Sequence, residues 1–207
     1  MSLAAVLMAA GSGSRMGFKP KCLLRLNGTP LIERLIECLV QVGVDELIVV
    51  LGHYHQEIAP FIPQDKAHCV LNPNPDEGQI SSQRMGLKAL RQKHESIIMA
   101  LADQPLIETM DLEQLLFQFK QRPSHTEMIF PLLDTGPGNP VIISSVVCQE
   151  ILEQGHSYGC RQWRGEHPSR VHRFLTDNAH FASDVDTLED IQALKKSNNI
   201  SLTWDPL

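Results

Sequence analysis

Aromatic residues are scarce in this 207-residue chain, at 5% of positions, and positive charge is in deficit: 18 lysines and arginines face 24 carboxylates, a formal net charge of −6. The shortage of rings argues against an all-β sandwich and against a surface that stacks nucleic-acid bases. The negative balance excludes a general polyanion binder, so no nucleic-acid partner is expected. Any phosphate ligand must be held by a local cluster of bases and backbone amides. The five cysteines (Cys22, Cys38, Cys69, Cys148, Cys160) are odd in number and form no CxxC pair. That supports neither a zinc knuckle nor a disulfide framework, and reduced, mostly buried thiols in a cytoplasmic protein are expected. No run approaches the roughly 18 apolar residues of a membrane span, so no membrane partner is expected. Residues 1–10 are apolar but lack a basic leading region and end in a Gly/Ser loop, which reads as a buried strand rather than a signal peptide.

Hydrophobic residues make up 43% of the chain, enough to bury a core. In the first half, short apolar runs alternate with amphipathic segments. Residues 3–9, 46–51, 67–71 and 96–101 read as strands. Residues 30–42 read as a helix, with Leu31, Leu35, Ile36, Leu39 and Val40 at helical spacing after the Asn27-Gly28 turn, and residues 81–92 as another. Strands that are continuous apolar runs are buried on both faces. This predicts a three-layer α/β/α, Rossmann-like fold around a mostly parallel sheet. The second half is less regular: helices over 110–119, 145–153 and 159–164, strands over 127–132, 141–143 and 171–174, and a helix over 187–196 with Thr187 and Asp190 close to a capping box. No repeat or linker stands out, so one domain over 1–196 with a tail over 197–207 is expected.

In such sheets ligands bind beyond the carboxyl ends of the strands, and two loops there carry chemically interesting residues. After the first strand the chain reads Ala9-Ala10-Gly11-Ser12-Gly13-Ser14-Arg15-Met16-Gly17-Phe18-Lys19-Pro20-Lys21. Glycines let backbone amides approach an anion, Arg15 adds a multi-donor head, and Lys19 and Lys21 add point charges. It is not a dinucleotide fingerprint, because the third glycine position holds Met16, and it is not a Walker A loop. Spacing alone leaves open a surface turn with incidental bases.

The string Ala9 to Gly17, followed by Pro20-Lys21 and the Leu23-Leu24 pair, resembles the nucleotide-binding signature of the GT-A-like nucleotidyltransferases, and most closely that of the molybdenum cofactor cytidylyltransferases. Four further segments agree in order: Asn72-Pro73 with Gly78-Gln79-Ile80-Ser81-Ser82, Leu101-Ala102-Asp103-Gln104-Pro105, Gly138-Asn139-Pro140-Val141, and Asp184-Val185-Asp186-Thr187. The resemblance covers most of residues 3–195. It implies that Ala9, the amides of Ala10, Gly11, Ser12, Gly13 and Ser14, and the side chains of Arg15 and Lys21 hold the triphosphate of CTP together with magnesium. The terminal phosphate of molybdopterin cofactor then attacks the α-phosphate and pyrophosphate leaves. Ala10 favours CTP, since guanylyl-transferring relatives carry glycine there. Pro-Lys-x-Leu-Leu favours Lys21 over Lys19 as the phosphate base.

Asp103 directly follows a buried strand and suits magnesium, which prefers hard carboxylate oxygens. The resemblance assigns it as the first metal ligand; the alternative is a turn-forming aspartate. Asp184 and Asp186 lie two apart, so in an extended stretch both side chains share one side. The resemblance implies that one of them completes the metal site, Asp184 being preferred. Asp186 is left to organise the turn, cap the last helix or face the acceptor. Ser81 and Ser82 either contact base or ribose with Gly78, or Ser81 is an N-cap worth roughly 1 kcal/mol. Asn72 either reads the base or forms an Asx turn. His53 and His55 lack a third ligand at suitable spacing and are expected to line a loop. Asn139 stands where the family usually has histidine, in a region placed near the acceptor. Arg161 matches a family glycine–arginine pair, and is expected to meet the acceptor's phosphate or form a surface salt bridge. Two other readings stay open: transfer to another phosphate acceptor, by GTP-dependent guanylyl transfer or to a sugar phosphate, and a non-catalytic protein that delivers cofactor to a molybdenum hydroxylase. Intact Arg15, Lys21, Asp103 and Asp184 argue against the last.

Overall fold

Seven consecutive buried residues, Leu3–Ala9, form strand β1 in the interior of the sheet. The computed structural model describes residues 2–198 and 200–204. Two 3-10 turns follow β1 (Ser14–Met16 and Lys21–Leu23), then a hairpin of β2 (Arg25–Leu26) and β3 (Thr29–Pro30). Asn27 and Gly28 close it with φ of 53° and 84°, the double positive that a primed two-residue turn requires. The chain continues through α1 (Leu31–Gln41), β4 (Glu46–Leu51), α2 (His55–Ile58), β5 (His68–Leu71), α3 (Gln79–Ala89), β6 (Ser96–Leu101) and α4 (Thr109–Lys120). Then come β7 (Met128–Leu133), β8 (Gly136–Pro137), β9 (Val141–Ser144), α5 (Ser145–Glu153), α6 (Cys160–Glu166), β10 (Val171–Leu175), α7 (Leu188–Asn198) and β11 (Leu202–Thr203).

The main sheet runs β10-β7-β9-β6-β1-β4-β5, with β8 paired to β7. As expected it is mostly parallel: β1 pairs in parallel with β4 and β6, β4 with β5, and β7 with β10. The exceptions are the two-residue β8, antiparallel to β7, and β9, antiparallel to both β6 and β7. The physical reason is the connection: residues 134–140 are too few for a parallel crossover, which needs a dozen or more. Alternation along β1 builds the three layers. Leu3, Ala5, Leu7 and Ala9 face α1 and α4 through Leu35, Ile36, Leu115 and Phe119, while Ala4, Val6 and Met8 face Leu87, Val147 and Trp163 of α3, α5 and α6. Each fully buried Leu or Ile contributes about 1.5–3 kcal/mol relative to exposure. The last helix starts as read: the Thr187 hydroxyl accepts from Asp190 N at 3.3 Å and the Asp190 carboxylate from Thr187 N at 2.7 Å. In the segment with weak signals, β11 pairs antiparallel with β2, forming a small second sheet. Among the described residues no helix is long and apolar enough to cross a membrane.

One glycine sets how closely α3 lies on the sheet. A Cβ at Gly86 would stand 2.3 Å from Val6 Cγ1 and 2.9 Å from Val50 Cγ2, so only a hydrogen fits. Alanine is the better helix former by about 1 kcal/mol, but overpacking costs about 1–3 kcal/mol. Gly86→Ala is therefore expected to lower stability in urea unfolding, and a variant as stable as the parent would show that α3 has room to spare.

Candidate functional site

The loop after β1 turns on Gly13. Its carbonyl accepts from Met16 N at 2.8 Å and Phe18 N at 3.0 Å, its φ is 58°, and a Cβ there would lie 2.0 Å from the Lys19 carbonyl oxygen. No other residue fits. From outside, the Tyr54 hydroxyl donates to Ser12 O at 2.8 Å. The loop thus presents Arg15, 68% exposed along its side chain, and Lys21, largely enclosed.

Both bases meet carboxylates from the far end of the chain. Lys21 Nζ lies 2.6 Å from Asp103 Oδ2 and 2.6 Å from Asp186 Oδ1, while Arg15 Nη2 lies 3.1 Å from Asp186 Oδ2. Asp103 sits just past β6, and its carbonyl accepts from Val185 N at 3.0 Å, which fastens the Asp184–Asp186 stretch to the same place. Asp103 Oδ1 is buried with no hydrogen-bond partner among the described residues. Asp184, crowded by protein but open to the cavity, is pushed up to about 6 by lost solvation and by the charges of Asp103 and Asp186. Burial pulls the Lys21 ammonium down, yet Asp103 and Asp186 outweigh it and hold its pKa above the ordinary lysine value. Burial likewise pushes Asp186 up, but Lys21 and Arg15 win and keep it below the usual carboxylate range. Among the described residues no three His, Cys, Asp or Glu side chains are grouped as a ready metal cluster; the Lys21 ammonium stands between Asp103 and Asp186. An unpartnered buried carboxylate oxygen beside a carboxylate resisting ionisation nevertheless fits a hard divalent cation.

These groups line a cavity of about 540 Å³. Of the residues read from sequence, Ala10, Gly11, Ser12 and Arg15 line it from the first loop, and Gly78 and Ser82 from the start of α3. Asp103, Asn139, Asp184 and Asp186 complete that set. Lys21, Gly13 and Ser14 line an adjoining recess of about 190 Å³ that shares Gly11, Ser12, Arg15 and Asp186, and Ala9 borders a smaller one with Lys21 and Asp103. Lys19 is turned elsewhere, its Nζ 5.3 Å from the Trp204 ring centroid.

Three expected residues are placed differently. Asn72 is buried at 3% exposure and spends its amide internally: Nδ2 donates to Ser81 Oγ at 2.8 Å and Ser82 Oγ at 3.1 Å, and Oδ1 accepts from Asn74 N at 3.0 Å. This is the Asx turn, not a side chain aimed at the cavity. Ser81 is not the N-cap, because α3 starts two residues earlier, after Gly78, whose φ of 87° ends the preceding turn. The Ser81 hydroxyl donates back to Gly78 O at 2.8 Å. Arg161 is exposed on α6, lines neither recess and has no ion pair among the described residues. His55 Nδ1 contacts Gly52 O at 3.1 Å, and His53 lines the cavity and meets Asp76 at 3.2 Å. Sequence reasoning missed Gln104, 1% exposed, whose Nε2 donates to Asn139 O and Phe181 O, each at 3.3 Å, and so ties the Asn139 loop to Asp103. It also missed Gln79 on the cavity and the Tyr54 clamp. The position of Gln104 immediately after Asp103 was the available signal.

A glycine loop carrying two bases, set against carboxylates at the carboxyl ends of a parallel sheet, defines a phosphate-handling α/β domain. The MobA-like NTP transferase domain matches residues 5–171, and the chain belongs to that nucleotidyltransferase family. It is 28% identical over 195 residues to nicotine blue oxidoreductase of Paenarthrobacter nicotinovorans, covering 91% of this chain and 94% of that protein. The bifunctional protein GlmU of Syntrophomonas wolfei is 30% identical over 125 residues, 59% of this chain and 27% of that one, so the chain spans about a quarter of GlmU. Among solved structures, Rv0371c of Mycobacterium tuberculosis H37Rv superposes with a TM-score of 0.76 at 25% identity, covering 95% of this chain and 99% of that chain. Rv0371c is also known in complex with manganese.

The crowding of Asp184 has a consequence for stability. Its folded pKa of about 6 exceeds the ordinary 3.8, so without a cation the favourable contribution of the protonated form is lost as pH rises between those two values. Asp184→Asn removes that loss. In urea titrations of chelator-treated protein, the parent should lose stability relative to Asp184→Asn across this window. Parallel pH profiles for the two would exclude a raised Asp184.

Proposed function

We propose that the chain transfers CMP from CTP to the terminal phosphate of molybdopterin cofactor, releasing pyrophosphate, with magnesium as the metal. The observation that carries this reading is the meeting of Arg15 and Lys21 with Asp103 and Asp186, beside Asp184, where the cavity joins its smaller recess: bases for a triphosphate and acids for a cation at a single point. The unpartnered Asp103 Oδ1 supports a metal there, as does the manganese complex of the similar Rv0371c.

In this mechanism the loop amides of residues 10–14 and the Arg15 guanidinium grip the phosphates, and Lys21 turns its ammonium from the carboxylates to the triphosphate oxygens. Asp103 and Asp184 would hold the metal, which when bound supplies charge neutralisation across the triphosphate. An oxygen of the acceptor's phosphate bonds to the α-phosphorus, the bond from that phosphorus to the bridging oxygen breaks, and pyrophosphate carries away the negative charge. The protein forms no bond of its own. It lowers the barrier by alignment and by fixed positive charge in a recess that partly excludes water. Ala10 lines the cavity, in keeping with a cytosine base.

A second reading, transfer to a different phosphate-bearing acceptor, is favoured by Asn139. An amide that donates and accepts hydrogen bonds, but does not titrate near neutrality, lines the cavity, and Arg161 stands outside it. Family membership leaves the acceptor open, since a relative of nearly the same length is named for an oxidoreductase. Purified protein given magnesium, each NTP in turn and molybdopterin cofactor should release pyrophosphate with CTP. Release only with another acceptor would select the second reading, and no release with any NTP and this cofactor would defeat the first. Asp103→Ala should cut turnover by about 10²–10³-fold or more while circular dichroism shows a folded chain; normal turnover would sink the metal assignment.

A further inference from the structure

Behind the charged residues lies a small apolar cluster that belongs to neither face of the main sheet. Met16, Leu24, Leu106, Val185, Leu194 and Leu202 are buried together, with Ile200 and Trp204 packed against them. Its members are sequence neighbours of the site. Met16 follows Arg15, Leu106 lies three residues past Asp103, and Val185 stands between Asp184 and Asp186. Where side chains alternate, burying Val185 turns its two flanking aspartates the other way, and both line the cavity. The three charged segments are therefore held by one patch of apolar contact.

The C-terminal strand completes that patch. Leu202 pairs with Leu26 and Thr203 with Arg25, which seats Leu202 in the cluster and brings Trp204 to the phosphate loop, its ring 5.3 Å from Lys19 Nζ. The loop needs such support. Between Gly11 and Pro20 the chain makes only one short 3-10 turn, two of its backbone bonds converge on Gly13 O, and Phe18 adopts a φ of 57° with its side chain 70% exposed. That is an uncommon conformation for a residue other than glycine, and external contacts must maintain it. Met16 anchors the loop below and Lys19 anchors it on Trp204, six positions from Gly13, whose missing Cβ makes room for the Lys19 carbonyl.

We propose that residues 200–204 are a positioning element of the nucleotide site, and that Trp204, through its ring contact with Lys19, holds the 13–21 loop in the shape that aims Arg15 and Lys21. This deepens the nucleotide-binding reading above and rests on it. Trp204 touches no substrate. Its effect is to reduce the fraction of loop conformations that cannot bind, so its loss is felt in nucleotide affinity more than in the chemical step.

The test uses the full chain with CTP and magnesium, measuring equilibrium binding, KM and kcat for the parent, Trp204→Ala and Trp204→Phe. Trp204→Ala is expected to raise Kd and KM by about five- to tenfold, the scale of one cation–π contact plus the loosened loop, with kcat changed by less than about twofold. Trp204→Phe keeps a ring under Lys19 and is expected to recover most of the affinity. The chain has two tryptophans, and Trp163 is fully buried in the layer on the other side of the sheet from α1 and α4. A nucleotide-dependent change in tryptophan emission should therefore come from Trp204 and vanish in Trp204→Phe. Parent-like binding by Trp204→Ala, equal damage in both variants, or an emission change that survives in Trp204→Phe overturns the inference. A parent that binds none of the nucleoside triphosphates overturns the nucleotide reading itself, which separates the two failures.

Discussion

Carboxylates cannot be gathered at one point without a cation to hold them, and the arrangement of this molecule follows from that constraint. Two like charges 4 Å apart repel by about 4 kcal/mol at the effective dielectric near a protein surface. Asp103, Asp184 and Asp186 share one cavity, and Asp184 resists ionising there. Lys21, at 2.6 Å from both Asp103 and Asp186, and Arg15, at 3.1 Å from Asp186, supply the balancing charge from the other end of the sequence. The loop and the acids are thus mutually dependent. The loop's bases make the acidic cluster tolerable, and the acids draw the bases over the carboxyl ends of β1 and β6. The same unrelieved repulsion favours any divalent cation that reaches Asp103 and Asp184.

Charge alone does not give a geometry; buried amides do. Val185 N to Asp103 O joins the two acidic segments, and Gln104 reaches two carbonyls of the 139 and 181 loops at once. Asn139 N to Phe181 O closes the circuit. Each of these is a low-dielectric hydrogen bond whose loss leaves a desolvated partner, at about 1–3 kcal/mol apiece. The charged side chains project from a frame fixed by such bonds and by the apolar cluster beneath it. That division explains how flexible heads such as Arg15 can remain exposed while the backbone behind them is pinned.

Much of the frame is legible in the sequence because it is made of local signals. Continuous apolar runs mark β1, β4 and β6 to the residue, and the Asn27-Gly28 turn and the Thr187/Asp190 cap announce themselves by residue type. What was not legible depends on partners distant in the chain. The reversal of β9 follows from a short connection rather than from its own composition. The start of α3 is set by the φ of Gly78, so the serine pattern at 81–82 misleads by two residues. Gln104, Tyr54 and Val185 look ordinary until residues 35 or more positions away are brought against them. Loop and acids were readable as candidates. The resemblance implied that they meet around one triphosphate, but the direct pairing of Lys21 with Asp103 and Asp186 was not legible, because no spacing rule links residue 21 to residues 103 and 186.

The two halves of the cavity differ in kind, and that difference bears on what the domain can accept. The donor half is charged and cross-braced, with Arg15 and Lys21 on Asp186 and Lys21 on Asp103. On the side where the proposed reading puts the acceptor, Asn139 has its backbone pinned on both sides, by Phe181 O and by Gln104, while its side-chain amide has no hydrogen-bond partner among the described residues. A neutral amide selects by direction and shape, since it offers both a donor and an acceptor and no net charge. On the proposed reading, donor binding is set largely by electrostatics, and acceptor choice rests on a few hydrogen bonds, each worth about 0.5–1.5 kcal/mol net. On that reading, the domain would change its acceptor through one or two substitutions around residue 139 without disturbing the balance of charge that holds its loop and acids together.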